Sequence, residues 1–203
     1  MGKARRVMNL PNLITLSRIP MMFVIVWLMY QEWTGAASLA FWLFIIAAVG
    51  DWYDGYLARR MGLISNFGKF MDALADKIMV LGLMIAFVDL DWIPVFWVLL
   101  HLCREFLVSG MRMVAATKGV IVAADKGGKT KTLTQLIAIG FLLFVPMLAT
   151  DWAFFSGWEL SPYSAIIHKI GLALFIVGTA FSVSSGAAYL WRFRAVFLED
   201  GKV

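Results

Sequence analysis

Six long apolar stretches, separated by short polar or charged ones, set the rhythm of this chain. They run at roughly 12–31, 37–60, 69–90, 92–117, 132–150 and 163–191. A helix that crosses a bilayer needs about 20 mostly apolar residues, and the stretches match that length. None shows the period-two alternation of a membrane β-barrel, the other structure able to span lipid. The pattern predicts an all-α membrane protein with six transmembrane helices in a single polytopic domain over 1–203. The first stretch opens unevenly. Polar residues recur at Asn12, Thr15, Ser17 and Arg18, and Pro11 is placed to start a helix. Residues 9–18 therefore read as a short interfacial segment before the chain enters the membrane.

Composition strengthens this reading. Of 203 residues 62% are hydrophobic and the mean hydropathy is +0.82, whereas soluble domains are about half apolar. Lys3, Arg5 and Arg6 precede an apolar stretch, as in a cleaved leader, but the polar interruptions and the further spans favour a retained helix. The net charge of +5 speaks first to topology and to anionic lipid. No soluble basic module remains for nucleic acid once the spans are drawn. Cys103, the single cysteine, excludes an intramolecular disulfide.

The loops sort by charge. Lys3, Arg5, Arg6, Arg59, Arg60, Lys69, Lys118, Lys126, Lys129, Lys131, Arg192, Arg194 and Lys202 fall on one side. The loops near 31–35, 89–92 and 150–162 contain no Lys or Arg. The positive-inside rule puts both termini and the even loops in the cytoplasm of a multi-pass inner-membrane protein. Lys126–Thr132 reads as a short polar loop feeding the fifth span.

Within this apolar text four acids stand out: Asp51, Asp54, Asp72 and Asp76. Ionisable groups at membrane depth are costly and point to function. Asp51, Asp54 or Gly55, and Ala58 share one helical face; Gly68, Asp72, Ala75 and Asp76 share another. Two antiparallel helices joined by a short cytoplasmic loop would bring these carboxylates together. Such acids need cations beside them, and hard oxygen ligands suit Mg²⁺ or Mn²⁺, with capacity for two ions. Gly55, Ala58 and Gly68 leave space against the backbone, and the Arg59 guanidinium suits phosphate. Simpler readings are helix caps, pairing with Arg59, Lys69 and Lys77, or an ion pathway in a transporter.

The spacing from Asp51 to Asp76, D-x2-D-G-x2-A-R-x8-G-x3-D-x3-D, resembles the signature of the CDP-alcohol phosphatidyltransferases, with every specified position present. The resemblance implies a six-helix membrane enzyme, usually a homodimer, that transfers a phosphatidyl or similar group from a CDP-linked donor to an alcohol and releases CMP. It implies two divalent ions on Asp51, Asp54 and Asp72, with Asp76 contributing to the metal site and serving as general base. It implies a donor pocket shaped by Gly55, Ala58, Arg59 and Gly68. The bare chemistry agrees, because phosphoryl-type transfer relies on positioning and charge neutralisation. No Ser-His or Cys-His pair offers a covalent route; His101 and His168 read as packing or interfacial residues and Cys103 as a packed core thiol.

The signature leaves the acceptor alcohol open. A second cluster, Arg104 and Arg112 two turns apart with Lys129 and Lys131 opening the next span, joins Thr15 and Arg18 as a candidate phosphate receptor. The alternative is topology and lipid contact alone. The strings 11–18, 104–112 and 128–132 resemble the bacterial phosphatidylglycerophosphate synthases of the same family. That likeness implies CDP-diacylglycerol as donor and sn-glycerol 3-phosphate as acceptor. A sister enzyme using inositol phosphate or phosphatidylglycerol, or a cation transporter, remains a rival at this point.

Overall fold

The computed structural model describes residues 10–60, 66–117 and 126–198, and among them no strand occurs. Six long helices follow the six apolar stretches: α1 Leu10–Met29, α2 Ala36–Arg60, α3 Asn66–Asp89, α4 Val95–Thr117, α5 Lys126–Pro146 and α6 Ser161–Leu198. Around the bundle, α1 packs between α2 and α3, α2 meets α5, α5 and α6 form the broadest helix pair, and α6 returns to α4, which touches α3.

The chain is an all-α membrane protein, and the distribution of apolar surface gives the reason. Phe44, Phe87, Phe175, Leu83 and Ile139 are fully buried between helices. Yet Phe23, Trp42, Ile46 and Phe181 stand more than half exposed on the outside. A soluble protein avoids contiguous apolar surface on this scale; lipid accommodates it. Among the described residues four segments are long and apolar enough to cross a membrane: Asn12–Met29, Ala36–Leu57, Leu133–Ser156 and Pro162–Arg192. α3 and α4 fall short because they carry the charges, Asp72, Asp76 and Lys77 on one and Arg104, Glu105 and Arg112 on the other.

Two expectations are corrected. Residues 10–18 are no separate segment: they continue into the first span as one helix with Pro20 inside it. The reason is that Asn12, Thr15 and Arg18 face inward and are buried, with Thr15 and Arg18 meeting carboxylates instead of interfacial water. The polar stretch Lys126–Thr132 is likewise the start of α5 and not a loop. The first N–H groups of a helix have no intrahelical partner in any case, so a polar, glycine-bearing start does not prevent the helix from beginning there.

Close helix approach depends on glycine at two points. A Cβ on Gly82 of α3 would meet Met22 Sδ of α1 at 2.5 Å, and one on Gly171 of α6 would meet Phe141 Cβ of α5 at 3.1 Å. After Pro146 the chain passes through a π-helical turn, Met147–Trp152, and a single α-turn, Ala153–Ser156. Asp151 in that turn is buried. Its carboxylate accepts the backbone N–H groups of Gly35 at 2.9 Å and Ser38 at 2.7 Å, capping α2 from another part of the chain. Tyr30 Oη donates to Asp89 at 2.7 Å, tying the end of α1 to the end of α3.

Candidate active site

α1 places its polar residues at steps of three. Asn12, Thr15 and Arg18 are buried, and Met22, Ile25 and Leu28 continue the same inward stripe in apolar form. The stripe therefore changes from polar to apolar where α1 leaves the acids behind. Thr15 Oγ1 donates to Asp54 Oδ2 at 2.8 Å. Arg18 is 2% exposed and bridges two acids: Nη1 pairs with Asp51 Oδ1, and Nη2 reaches Asp76 Oδ1 at 3.1 Å. A guanidinium is rarely buried so deeply without paired charges.

The acids arrive from two helices. Asp51 and Asp54 sit three residues apart near the end of α2, and Asp72 lies in the second turn of α3. Each offers a carboxylate oxygen, and the three oxygens lie within 4.8 Å of one another. Asp54 is buried, Asp51 partly buried and Asp72 exposed, so the cluster opens outward on one side. Three hard anionic donors at this separation could hold a divalent cation. Thr15 fixes the rotamer of one of them, the kind of outer support that orients ligands. Asp76 stands one turn further along α3 and is held by Arg18, outside this trio.

The residues expected around an acceptor phosphate separate into two groups. Thr15 and Arg18 belong with the acids. Arg104 of α4 donates through Nε to the carbonyl of Ser182 at 3.1 Å and through Nη1 to Glu105 at 2.7 Å. It fits against Gly186 of α6, where a Cβ would come within 3.0 Å of Arg104 Cγ. Arg112 is exposed, with its guanidinium 5.8 Å from the centre of the Tyr189 ring. Gly55 and Gly68 are half-buried beside Asp54 and at the start of α3. Ala58 and Arg59 lie in α2, and Lys129 and Lys131 in α5; their side chains are outside the described residues.

Two features escaped the sequence reading. Lys77, next to Asp76, hydrogen-bonds Ser109 Oγ of α4 and lies close enough to Arg104 and Arg112 to interact with both charges. His101 is buried beside Gln135 of α5, whose amide nitrogen meets its ring. Spacing marks only the α4 side of the second: His101, Glu105, Ser109 and Arg112 recur along α4 at steps of four, four and three.

The family model of the CDP-alcohol phosphatidyltransferases matches residues 8–184. The chain belongs to the CDP-alcohol phosphatidyltransferase family. The match takes in all four acids as well as Arg18, Arg104 and Arg112. Among relatives of this phosphatidyltransferase, a Bacillus subtilis protein named CDP-diacylglycerol–glycerol-3-phosphate 3-phosphatidyltransferase is 44% identical over 147 residues, covering 66% of this chain and 76% of the relative. An Escherichia coli K12 protein of the same name is 32% identical over 202 residues, covering 95% of this chain and 98% of the relative. A third, from Rickettsia typhi, is 39% identical over 135 residues, covering 66% of this chain and 76% of the relative.

Proposed function

We propose that the protein transfers the phosphatidyl group of CDP-diacylglycerol to sn-glycerol 3-phosphate, giving phosphatidylglycerophosphate and CMP. The observation that carries this reading is the convergence of Asp51, Asp54 and Asp72 within 4.8 Å, flanked by Asp76 and by the cations of α3 and α4. The shared name of relatives at 32–44% identity supports the donor and the acceptor.

Asp51, Asp54 and Asp72, with Asp76 at their edge, would hold two divalent ions, Mg²⁺ or Mn²⁺. Bound there, such ions would supply charge neutralisation for the donor diphosphate and the departing CMP. Gly55, Ala58 and Gly68 leave room for the cytidine diphosphate against α2 and α3, and Arg59 meets its phosphate. Arg104, Arg112, Lys129 and Lys131 attract the phosphate of the acceptor, and Lys77 adds to that field. Thr15 and Arg18 act on the acid side, fixing Asp54, Asp51 and Asp76.

Asp76 orients the primary hydroxyl of glycerol 3-phosphate and accepts its proton. The hydroxyl oxygen forms a bond to the phosphorus bearing diacylglycerol, and the bond from that phosphorus to the CMP oxygen breaks. The proton on Asp76 then passes to solvent. No group on the protein becomes covalently attached.

The charge asymmetry of the loops supports a bacterial inner-membrane protein with both termini and the active site in the cytoplasm, where glycerol 3-phosphate is available. We propose a single catalytic domain over 1–203 acting as a homodimer, surrounded by membrane lipid. The test is CMP release by purified protein with Mg²⁺ and CDP-diacylglycerol against a panel of acceptors. Release is expected with glycerol 3-phosphate; release driven instead by inositol phosphate or phosphatidylglycerol overturns the acceptor assignment.

A further inference from the structure

Beside Asp76, on the side leading into the bundle, lies a pocket of about 40 Å³. Asp76 and Lys77 of α3, His101 and Glu105 of α4 and Gln135 of α5 supply its polar lining. His101 and Gln135 are 2% and 4% exposed, and their side chains meet between α4 and α5. Placing two polar side chains this deep costs free energy unless they meet polar partners.

We propose that this pocket reads the free secondary hydroxyl of the acceptor, with Glu105 and Gln135 as its specificity-determining residues. The inference rests on the function proposed above and deepens it. A hydroxyl both donates and accepts a hydrogen bond, and the lining offers both roles. The Glu105 carboxylate accepts, the Lys77 ammonium donates, and the Gln135 amide does either. Arg104 holds Glu105 in place through a 2.7 Å bond, so the accepting group is fixed before the acceptor arrives.

One water needs about 10–15 Å³ in this measure, so a pocket of about 40 Å³ has room for a carbon and its hydroxyl. Lys77, Arg104 and Arg112 cluster beside the same pocket and favour a phosphate at the other end of the molecule. A three-carbon polyol phosphate meets all three demands: a primary hydroxyl at Asp76, a secondary hydroxyl in the pocket and a phosphate beside the cations.

The experiment measures kcat/KM for CMP release by the full-length protein with Mg²⁺ and CDP-diacylglycerol. Glycerol 3-phosphate is compared with 3-hydroxypropyl phosphate, which keeps the primary hydroxyl and the phosphate but lacks the secondary hydroxyl. Wild-type protein should prefer glycerol 3-phosphate by about 10- to 100-fold, the effect of leaving buried polar groups unpaired. Glu105→Gln and Gln135→Met should each narrow that ratio by several-fold. Equal use of both acceptors by the wild type overturns the proposal without recourse to any variant. So does a variant that slows both reactions while leaving their ratio unchanged. If glycerol 3-phosphate is no acceptor at all and another alcohol is, the underlying function falls and the pocket assignment falls with it.

Discussion

Replacing Arg18 by methionine keeps an unbranched apolar stem in the bundle but deletes the guanidinium that joins Asp51 to Asp76. Breaking a fully buried ion pair by removing one partner costs about 3–5 kcal/mol, because the other charge stays behind uncompensated. Arg18 is 2% exposed, but the side chains of Asp51 and Asp76 are 33% and 36% exposed. Water at the open side of the cluster takes up part of the lost interaction, so the expected loss is about 1–3 kcal/mol. For a domain of this length that corresponds to a fall in melting temperature of about 3–10 °C. The measurement is thermal unfolding of purified wild-type and Arg18→Met protein in the same detergent, with chelator and with a Mg²⁺ series. In chelator the variant should melt lower. Added Mg²⁺ should raise its melting temperature more than that of the wild type, since a ligand bound only by the folded protein stabilises it by mass action and the orphaned carboxylates attract it more strongly. An unchanged melting temperature in chelator would refute the counter-ion role of Arg18. A deficit that Mg²⁺ leaves untouched would show that Arg18 acts through packing and not through charge.

Asp76→Asn should reduce CMP release by at least about 100-fold, the usual scale of general-base catalysis, while the melting curve stays cooperative; undiminished turnover removes Asp76 as the base. At the other end of the bundle, Asp151→Ala should lower stability by about 1–2 kcal/mol, as expected for a lost helix cap. It should leave the KM for both substrates unchanged, because Ser38 and Asp54 are about 24 Å apart along α2 at 1.5 Å per residue. Thermal unfolding and steady-state kinetics on the same preparation check both statements, and a raised KM would contradict the separation.

Much of this architecture is written locally. The first four helices sit within three residues of their apolar stretches, because span length and hydrophobicity are properties of contiguous sequence; α5 begins six residues early and α6 ends seven residues late. The acids were legible for a similar reason: Asp51 and Asp54 on one helix and Asp72 and Asp76 on the next declare their faces by spacing alone. What the spacing does not encode is which other helix closes over them. Arg18 reads as one more cation near an expected phosphate, and its place between Asp51 and Asp76 depends on how α1 docks against α2 and α3. Lys77 reads as a partner for nearby acids, yet Ser109 meets it from 32 positions away. The His101–Gln135 contact likewise links two helices with no local signal joining them. Lys126–Thr132 has the composition of a loop and yet begins α5, because the ends of long helices tolerate polar sequence wherever their backbone groups can be solvated.

The bridge from Arg18 to Asp51 and Asp76 also bears on how the protein enters the membrane. α1 is synthesised first, and it brings a guanidinium whose partners lie 33 and 58 residues later in the chain. A lone arginine in a membrane helix is penalised, and so are the acids that follow. Until α3 emerges, α1 and α2 each hold charge that only the other helices can neutralise. The charges of the site are therefore paired only once the first three helices have associated.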